Sequence, residues 1–123
     1  MRPLKVLLVD DNAAFLKGAR DLIAALPQVA SVACARSGSE ALARVGESRP
    51  DLVLTDLMMP GMSGFELIRA LRALPASPRL LAVTLLEDNE FRRAVRRSGS
   101  EDLVAKRDFA ALIPGLIASA AGA

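Results

Sequence analysis

The residues that could do chemistry in this sequence stand where apolar runs end. Asp10 and Asp11 close one run, and Asp56, Thr84 and Lys106 close three later ones. If these runs are strands of one parallel sheet, their carboxyl ends meet at one edge, which is where ligand sites form in such sheets. The spacing therefore predicts a cluster of three carboxylates, a hydroxyl and an ammonium group.

Such a cluster carries more negative than positive charge and needs a cation. Two like charges about 4 Å apart repel by roughly 4 kcal/mol at an effective dielectric constant of about 20. Lys106 adds one positive charge, and a hard divalent ion that prefers oxygen ligands, with Mg²⁺ the main candidate, would add two. Together they would offset charge on a phosphoryl group under attack by a carboxylate. The Thr84 hydroxyl would then be placed to donate to the new charge on the product.

The alternation of two hydrophobic patterns predicts the fold that brings these residues together. Apolar runs alternate with segments whose apolar residues recur at helical spacing. Strict alternation of strand and helix implies a parallel sheet covered on both faces, and right-handed crossovers narrow it to a doubly wound sheet. We predict an α/β fold with one five-stranded parallel sheet, in the flavodoxin-like order 2-1-3-4-5, flanked by five helices. The predicted strands are Leu4–Val9, Val29–Ala35, Leu52–Thr55, Leu80–Val83 and Leu103–Ala105.

Residue types that cap helices precede the last four predicted helices. The signals are two capping boxes, Ser37 with Glu40 and Ser63 with Glu66, and two N-cap candidates, Asp88 and Asp108. Pro114 lies inside the fifth predicted helix, where a proline removes a hydrogen bond and is expected to kink the helix.

Composition limits the functions that need to be considered. The chain has 123 residues, 52% hydrophobic and 24% charged, so we predict one globular domain over residues 1–123. The net charge of +2 is too small to argue for nucleic acid, and no apolar stretch is long enough to span a bilayer. The lone Cys34 can form no internal disulfide, which is compatible with a reducing compartment. We expect a cytoplasmic domain that binds neither nucleic acid nor membrane directly.

The residues at the predicted sheet edge resemble the response-regulator receiver family, also called CheY-like, over essentially the whole chain. The segment Asp56-Leu57-Met58-Met59-Pro60-Gly61-Met62-Ser63-Gly64 is similar to the phosphoacceptor signature of that family. The acidic pair at 10 and 11, Thr84 before an acidic helix start, and Gly99 shortly before Lys106 stand in the family's order and spacing. The resemblance implies a domain of two-component signal transduction.

This resemblance implies a role for each residue of the cluster. Asp56 would accept the phosphoryl group, Lys106 would pair with the phosphoryl oxygens, and Thr84 would move toward them. Mg²⁺ would bind Asp10 or Asp11, mainly Asp11, directly or through water, together with Asp56 and the backbone carbonyl of Met58. The chain would catalyse only its own phosphorylation and dephosphorylation and would otherwise not be an enzyme.

The resemblance also implies partners. The phosphoryl donor would be a histidine kinase or a phosphotransfer protein, since this chain contains no His. A shift of the fourth helix and fifth strand would change affinity for an output protein whose identity the sequence does not reveal. A homodimer through helix 4, strand 5 and helix 5 is a further expectation. The four arginines of helix 4 are expected to form a solvated face whose charges suit the C-terminal end of the helix, and the alternative is that they dock on an acidic partner or on a second copy. They are Arg92, Arg93, Arg96 and Arg97.

Three residues depart from the family pattern. Leu103 stands where an aromatic residue is usual, Leu85 follows Thr84 where a small residue is commoner, and Arg107 follows Lys106 where proline is usual. These departures make a pseudo-receiver, a binding module that keeps the fold without being phosphorylated, the main alternative. The sequence stops after the fifth predicted helix, so it represents either a single-domain regulator or a domain of a longer protein.

Two other functions fit the pattern less well. A flavodoxin-like FMN carrier could share the sheet, but it needs a phosphate-binding loop where this chain has Asp10 and Asp11. An aspartate-nucleophile phosphatase usually has a second acid two residues after the nucleophile, and Met58 stands there.

Overall fold

The computed structural model describes residues 3–85, 89–100 and 102–122. Within these residues, five strands alternate with five α-helices. In chain order they are β1 Leu4–Val9, α1 Ala13–Ala24, β2 Val29–Ala35, α2 Gly38–Ser48, β3 Leu52–Asp56, α3 Gly64–Arg72, β4 Arg79–Thr84, α4 Asn89–Ser98, β5 Asp102–Ala105, a 3-10 turn Lys106–Asp108, and α5 Phe109–Gly122. All neighbouring strands are parallel, in the order β2-β1-β3-β4-β5, which confirms the predicted fold.

The register of the strands brings their carboxyl ends level with one another. Val9 at the end of β1 is opposite Thr55 of β3, and Asp56 is opposite Val83 of β4. Thr84 at the end of β4 is opposite Ala105 at the end of β5. The residues that follow Val9 and Ala105 therefore enter the same narrow region above the sheet edge.

The core lies in two aliphatic layers, one on each face of the sheet. Leu7, Val53 and Leu80 pack on the face covered by α2, α3 and α4, whereas Leu8 and Leu54 pack on the face covered by α1 and α5. Strands buried on both faces read as continuous apolar runs rather than as alternating ones. This burial explains why the central strands were recognisable in the sequence.

Local hydrogen bonds fix where the helices begin. Ser63 and Glu66 form the predicted capping box, with Glu66 N donating to Ser63 Oγ (3.2 Å) and Ser63 N donating to Glu66 Oε1 (3.3 Å). Ser37 caps α2 as predicted, but Glu40 Oε2 accepts from Arg36 N, one residue before the cap. The box at α2 therefore differs from the prediction in its second hydrogen bond.

The starts of α4 and α5 follow the two predicted N-cap residues, Asp88 and Asp108. Asp88, the predicted cap of α4, lies outside the described residues. Asp108 ends the 3-10 turn that runs directly into α5, and Pro114 lies inside α5. In the described ranges, no helix combines the length and apolar character needed to cross a bilayer.

Candidate functional site

Three aspartates meet above the carboxyl ends of β1 and β3. Asp10 and Asp11 directly follow β1, and Asp56 is the last residue of β3. One carboxylate oxygen from each lies within 4.8 Å of the others. Asp10 and Asp56 are only 1% and 6% exposed, whereas Asp11 is exposed. The cluster therefore has two buried acids and one acid at its solvent side.

The ammonium group of Lys106 enters this cluster from the turn after β5. Its Nζ lies 2.6 Å from Asp10 Oδ2 and 3.5 Å from Asp56 Oδ2. The same Nζ lies over the Phe15 ring, 4.6 Å from its centroid. One ammonium among three carboxylates leaves the cluster with an excess of negative charge.

Burial and neighbouring charges shift the pKa values of Asp56 and Lys106. Desolvation by burial, reinforced by the charge of Asp10, raises the pKa of Asp56 above its ordinary value, against the lowering effects of Lys106 and of the Met58 and Leu57 amides. Burial acts to lower the pKa of Lys106, but its contact with Asp10 and the charge of Asp56 outweigh burial and leave that pKa raised. Lys106 therefore stays protonated, while the surroundings of Asp56 oppose its charge.

The hydrogen bonding of Asp10 tests whether a cation fits. Its Oδ1 accepts from Asn12 N at 2.9 Å. Its buried Oδ2 has the ion pair with Lys106 but accepts no hydrogen bond of regular geometry within the described residues. A buried carboxylate oxygen with one ammonium as its partner, in an all-oxygen cluster with excess negative charge, fits a hard divalent cation such as Mg²⁺. A soft metal would require sulfur or imidazole ligands, and neither side-chain type contributes to this cluster.

Met58 and Thr84 lie beside the cluster. Met58 N donates to Asp56 Oδ1 at 3.3 Å, while its side chain is 61% exposed. This hydrogen bond holds the backbone of Met58, the residue whose carbonyl is the predicted ligand, close to Asp56. Thr84 is fully buried at the end of β4, one residue beyond the residue opposite Asp56. The structure thus brings all of the sequence-predicted site residues to one edge of the sheet.

The loop after Asp56 requires glycine at position 64. Gly64 N donates to Leu57 O at 3.1 Å. A Cβ at this position would overlap the carbonyl oxygen of Asp56 and lie 2.6 Å from Leu57 Cα. Gly61 in the same loop has a positive φ of 75°, a conformation that favours glycine. The glycines of the signature therefore let the loop close tightly against the end of β3.

The three residues that depart from the receiver pattern, Leu103, Leu85 and Arg107, differ in their burial and contacts. Leu103 is buried in the core, and its carbonyl accepts from Arg92 Nη1 of α4 at 3.2 Å. Leu85 is 76% exposed, so its side chain is not packed into the protein. Arg107 Nε lies 3.8 Å from Asp108 Oδ2, and the Lys106–Arg107 peptide bond is trans.

Sequence reasoning missed three residues that shape the site. Asn12 caps α1 by accepting from Phe15 N at 3.0 Å, and its residue type was a usable signal for that cap. Arg36 Nη2 donates to the carbonyl of Asp11 at 3.1 Å. Neither Arg36 nor the contact of Phe15 with Lys106 has a local sequence signal, because the chain brings them together only on folding.

Comparisons with known proteins identify the same family as the resemblance found in the sequence. The sequence profile described as "Response regulator receiver domain" matches residues 6–114. Protein-glutamate methylesterase/protein-glutamine glutaminase 5 of Myxococcus xanthus is 37% identical over 105 residues, which cover 85% of this chain and 30% of that protein. Response regulator GacA of Pseudomonas syringae pv. syringae is 32% identical over 103 residues, which cover 84% of this chain and 48% of GacA.

The fold has close counterparts among solved structures. A two-component response regulator of the LuxR family from Aurantimonas sp. superposes with a TM-score of 0.87 at 33% identity, over 98% of this chain and 86% of that one. A signal receiver domain from Colwellia psychrerythraea superposes with a TM-score of 0.90 at 22% identity and supports the fold alone. The chain spans less than half the length of the curated relatives named above. Its family is nevertheless plain, because the profile match covers most of the sequence: this chain belongs to the response regulator receiver domains, the signalling domains of two-component systems.

Proposed function

We infer that residues 1–123 form a phosphoacceptor receiver domain. Asp56 takes a phosphoryl group from a histidine kinase or a phosphotransfer protein in an Mg²⁺-dependent reaction. The observation that carries this proposal is the buried Asp56 carboxylate, 3.5 Å from the Lys106 ammonium in a cluster with excess negative charge. Such a cluster suits a divalent cation and an incoming phosphoryl group.

The reaction is a transfer between a histidine of another protein and Asp56. A carboxylate oxygen of Asp56 attacks phosphorus, the phosphorus–nitrogen bond of the phosphohistidine breaks, and its electron pair returns to the imidazole nitrogen. The Lys106 ammonium offsets charge on the transferring oxygens, and the Thr84 hydroxyl donates to the acyl phosphate. Asp10, Asp11, Asp56 and the Met58 carbonyl would hold Mg²⁺, which supplies further charge neutralisation when bound.

The product would alter how the domain binds its partners. The acyl phosphate carries more negative charge than the carboxylate it replaces. We propose that this charge draws Thr84 toward it and shifts α4 and β5, which changes affinity for an output protein or for a second copy through α4, β5 and α5. The bond from Arg92 to the Leu103 carbonyl links α4 to β5 and supports their moving together. We place this signalling in the cytoplasm, because the lone Cys34 fits a reducing compartment.

Intact mass spectrometry tests the transfer. The protein is incubated with Mg²⁺ and acetyl phosphate, a small phosphodonor, in parallel with Asp56→Asn and with a sample treated with a chelator. We expect the wild type alone to gain one phosphoryl group, since only it keeps both the acceptor and the cation. No gain in the wild type, or an equal gain in Asp56→Asn, would contradict the proposal.

The second candidate is a pseudo-receiver that binds its partner without phosphorylation. The buried Leu103, which occupies the position of the usual aromatic switch residue, favours this alternative. It predicts no mass gain with acetyl phosphate, so the same experiment separates the two functions.

A further inference from the structure

Phe15 contacts the ammonium group on which the proposed reaction depends. Lys106 Nζ lies over its ring, 4.6 Å from the centroid. A cation at this distance is attracted to the negative face of an aromatic ring. The ring is therefore a third attraction for the ammonium, in addition to the carboxylates of Asp10 and Asp56.

The position of the Phe15 ring is set by groups other than Lys106. The backbone N–H of Phe15 donates to Asn12 Oδ1 at 3.0 Å, which fixes it in the first turn of α1. Its ring meets the Phe109 ring in a T-shaped contact, with centroids 5.2 Å apart and planes at 75°. Phe109 is buried in the core. The ring therefore occupies a defined place whether or not the ammonium contacts it.

One turn of chain brings both partners to Phe15. Lys106 opens the 3-10 turn and Phe109 follows it, three residues later. Side chains at that spacing eclipse one another in 3-10 geometry, so the ammonium and the second ring face the same neighbour. The chain has four Phe, no Tyr and no Trp, and two of the four meet at this point.

An aromatic ring suits a lysine whose ammonium must change its hydrogen-bond acceptors during the reaction. Lys106 pairs with carboxylates in this structure, but after transfer it has to direct N–H groups to phosphoryl oxygens. Its long side chain has considerable rotamer freedom. A carboxylate accepts hydrogen bonds from the N–H groups of the ammonium. The face of a ring attracts the positive charge of the ammonium but leaves most of its three N–H groups available to other acceptors.

We propose that Phe15 is a positioning residue that holds the Lys106 ammonium at the strand ends while its acceptors change from carboxylates to phosphoryl oxygens. The inference rests on the proposed function. Phe15 itself touches no reacting atom. Its removal should therefore weaken the binding of a phosphoryl group while leaving the binding of the metal alone unchanged.

Binding of beryllium trifluoride, a phosphoryl mimic, in the presence of Mg²⁺ tests this role. The titration is followed by NMR, which measures weak binding as well as tight binding. We expect Phe15→Leu to bind the mimic about fivefold to tenfold more weakly, and Phe15→Tyr, which keeps an aromatic face, to stay within about twofold of the wild type. Titration with Mg²⁺ alone should give the same affinity for all three proteins.

Two controls separate positioning from packing. In a Lys106→Met background, Phe15→Leu should have no further effect, because a double-mutant cycle isolates the coupling between the two side chains. Leu22→Ala removes packing from the same helix and the same core layer, so it should lower stability without changing affinity for the mimic. The role is overturned if Phe15→Leu loses as much affinity in the Lys106→Met background, or if Phe15→Tyr behaves like Phe15→Leu.

A direct readout of the contact needs neither Mg²⁺ nor the mimic. The ε-methylene protons of Lys106 should be shifted upfield by the Phe15 ring in the wild type and in Phe15→Tyr, and should return to ordinary values in Phe15→Leu. Unshifted protons in a wild type that binds the mimic would overturn only the role of Phe15. A wild type that shows the shift but binds no mimic would instead overturn the proposed function, and with it the role of Phe15.

Discussion

Asp56 is an acid whose surroundings oppose its own charge. Burial and the neighbouring Asp10 raise its pKa, and the Lys106 ammonium offsets this only in part, since it lies closer to Asp10 than to Asp56. This imbalance leaves a carboxylate that gains from an added cation. The same imbalance makes the site a source of instability when no cation is bound.

The raised pKa of Asp56 fixes the direction in which the free energy of unfolding changes with pH. The folded protein holds a proton on Asp56 above the ordinary value of 3.8, so the free energy of unfolding falls as pH rises through the interval between that value and the raised pKa. In chelator, we expect Asp56→Asn to be more stable than the wild type at pH 7, and the difference to shrink as pH falls toward 4. Urea unfolding at the two pH values measures it, with the exposed Asp21→Asn as a control that should show little difference. A variant less stable than the wild type at pH 7 would contradict the prediction.

At the scale of the elements, the sequence predicted those features whose residues lie close together along the chain. The strands were predictable because burial on both faces leaves unbroken apolar runs, and Ser63 with Glu66 was predictable because both hydrogen bonds span three residues. The aspartate cluster followed from the parallel order of the strands. The contact of Arg36 with the Asp11 carbonyl joins residues 25 apart and leaves no pattern in the sequence. The same is true of the contact between Phe15 and Lys106.

Two helical glycines, Gly64 at the start of α3 and Gly46 within α2, allow a matched test of packing against β3. Gly64→Ala should lower the free energy of unfolding by about 1–3 kcal/mol, because the new Cβ would overlap the backbone of Asp56 and Leu57. Gly46 lies within α2 and a Cβ there meets nothing within 4 Å. Gly46→Ala should therefore stabilise the protein by about 0.5–1 kcal/mol. Equal effects of the two substitutions in urea unfolding would show that the loop is not closely packed against β3.

At the scale of the whole molecule, the acidic cluster and the basic surface of α4 occupy different places on the same sheet. The carboxyl ends of the strands carry the acidic cluster, whereas α4 presents Arg93, Arg96 and Arg97 to solvent. Exposed basic groups on a helix that is linked to β5 form a surface whose position can depend on the site. The predicted docking of a second copy through α4, β5 and α5 would use this surface.

Charge reversal tests that docking surface. We expect the protein with Mg²⁺ and beryllium trifluoride to self-associate, and Arg93→Glu to weaken the association about tenfold or more, because like charges placed together at an interface are strongly unfavourable. Sedimentation velocity measures the association. Arg44→Glu, an equal change at an exposed position of α2, is the control and should associate like the wild type. A wild type that stays monomeric with the mimic bound would exclude a dimer of this kind.

The 3-10 turn after β5 has a mechanical consequence. Lys106 is its first residue, and its last residue directly precedes α5, so no loop lies between the ammonium and that helix. Because no flexible loop intervenes, we expect a displacement of the Lys106 backbone to reorient the first turn of α5. We therefore expect occupancy of the site to be transmitted to α5, so that a protein bound to this helix could respond to the proposed phosphoryl group without contacting it.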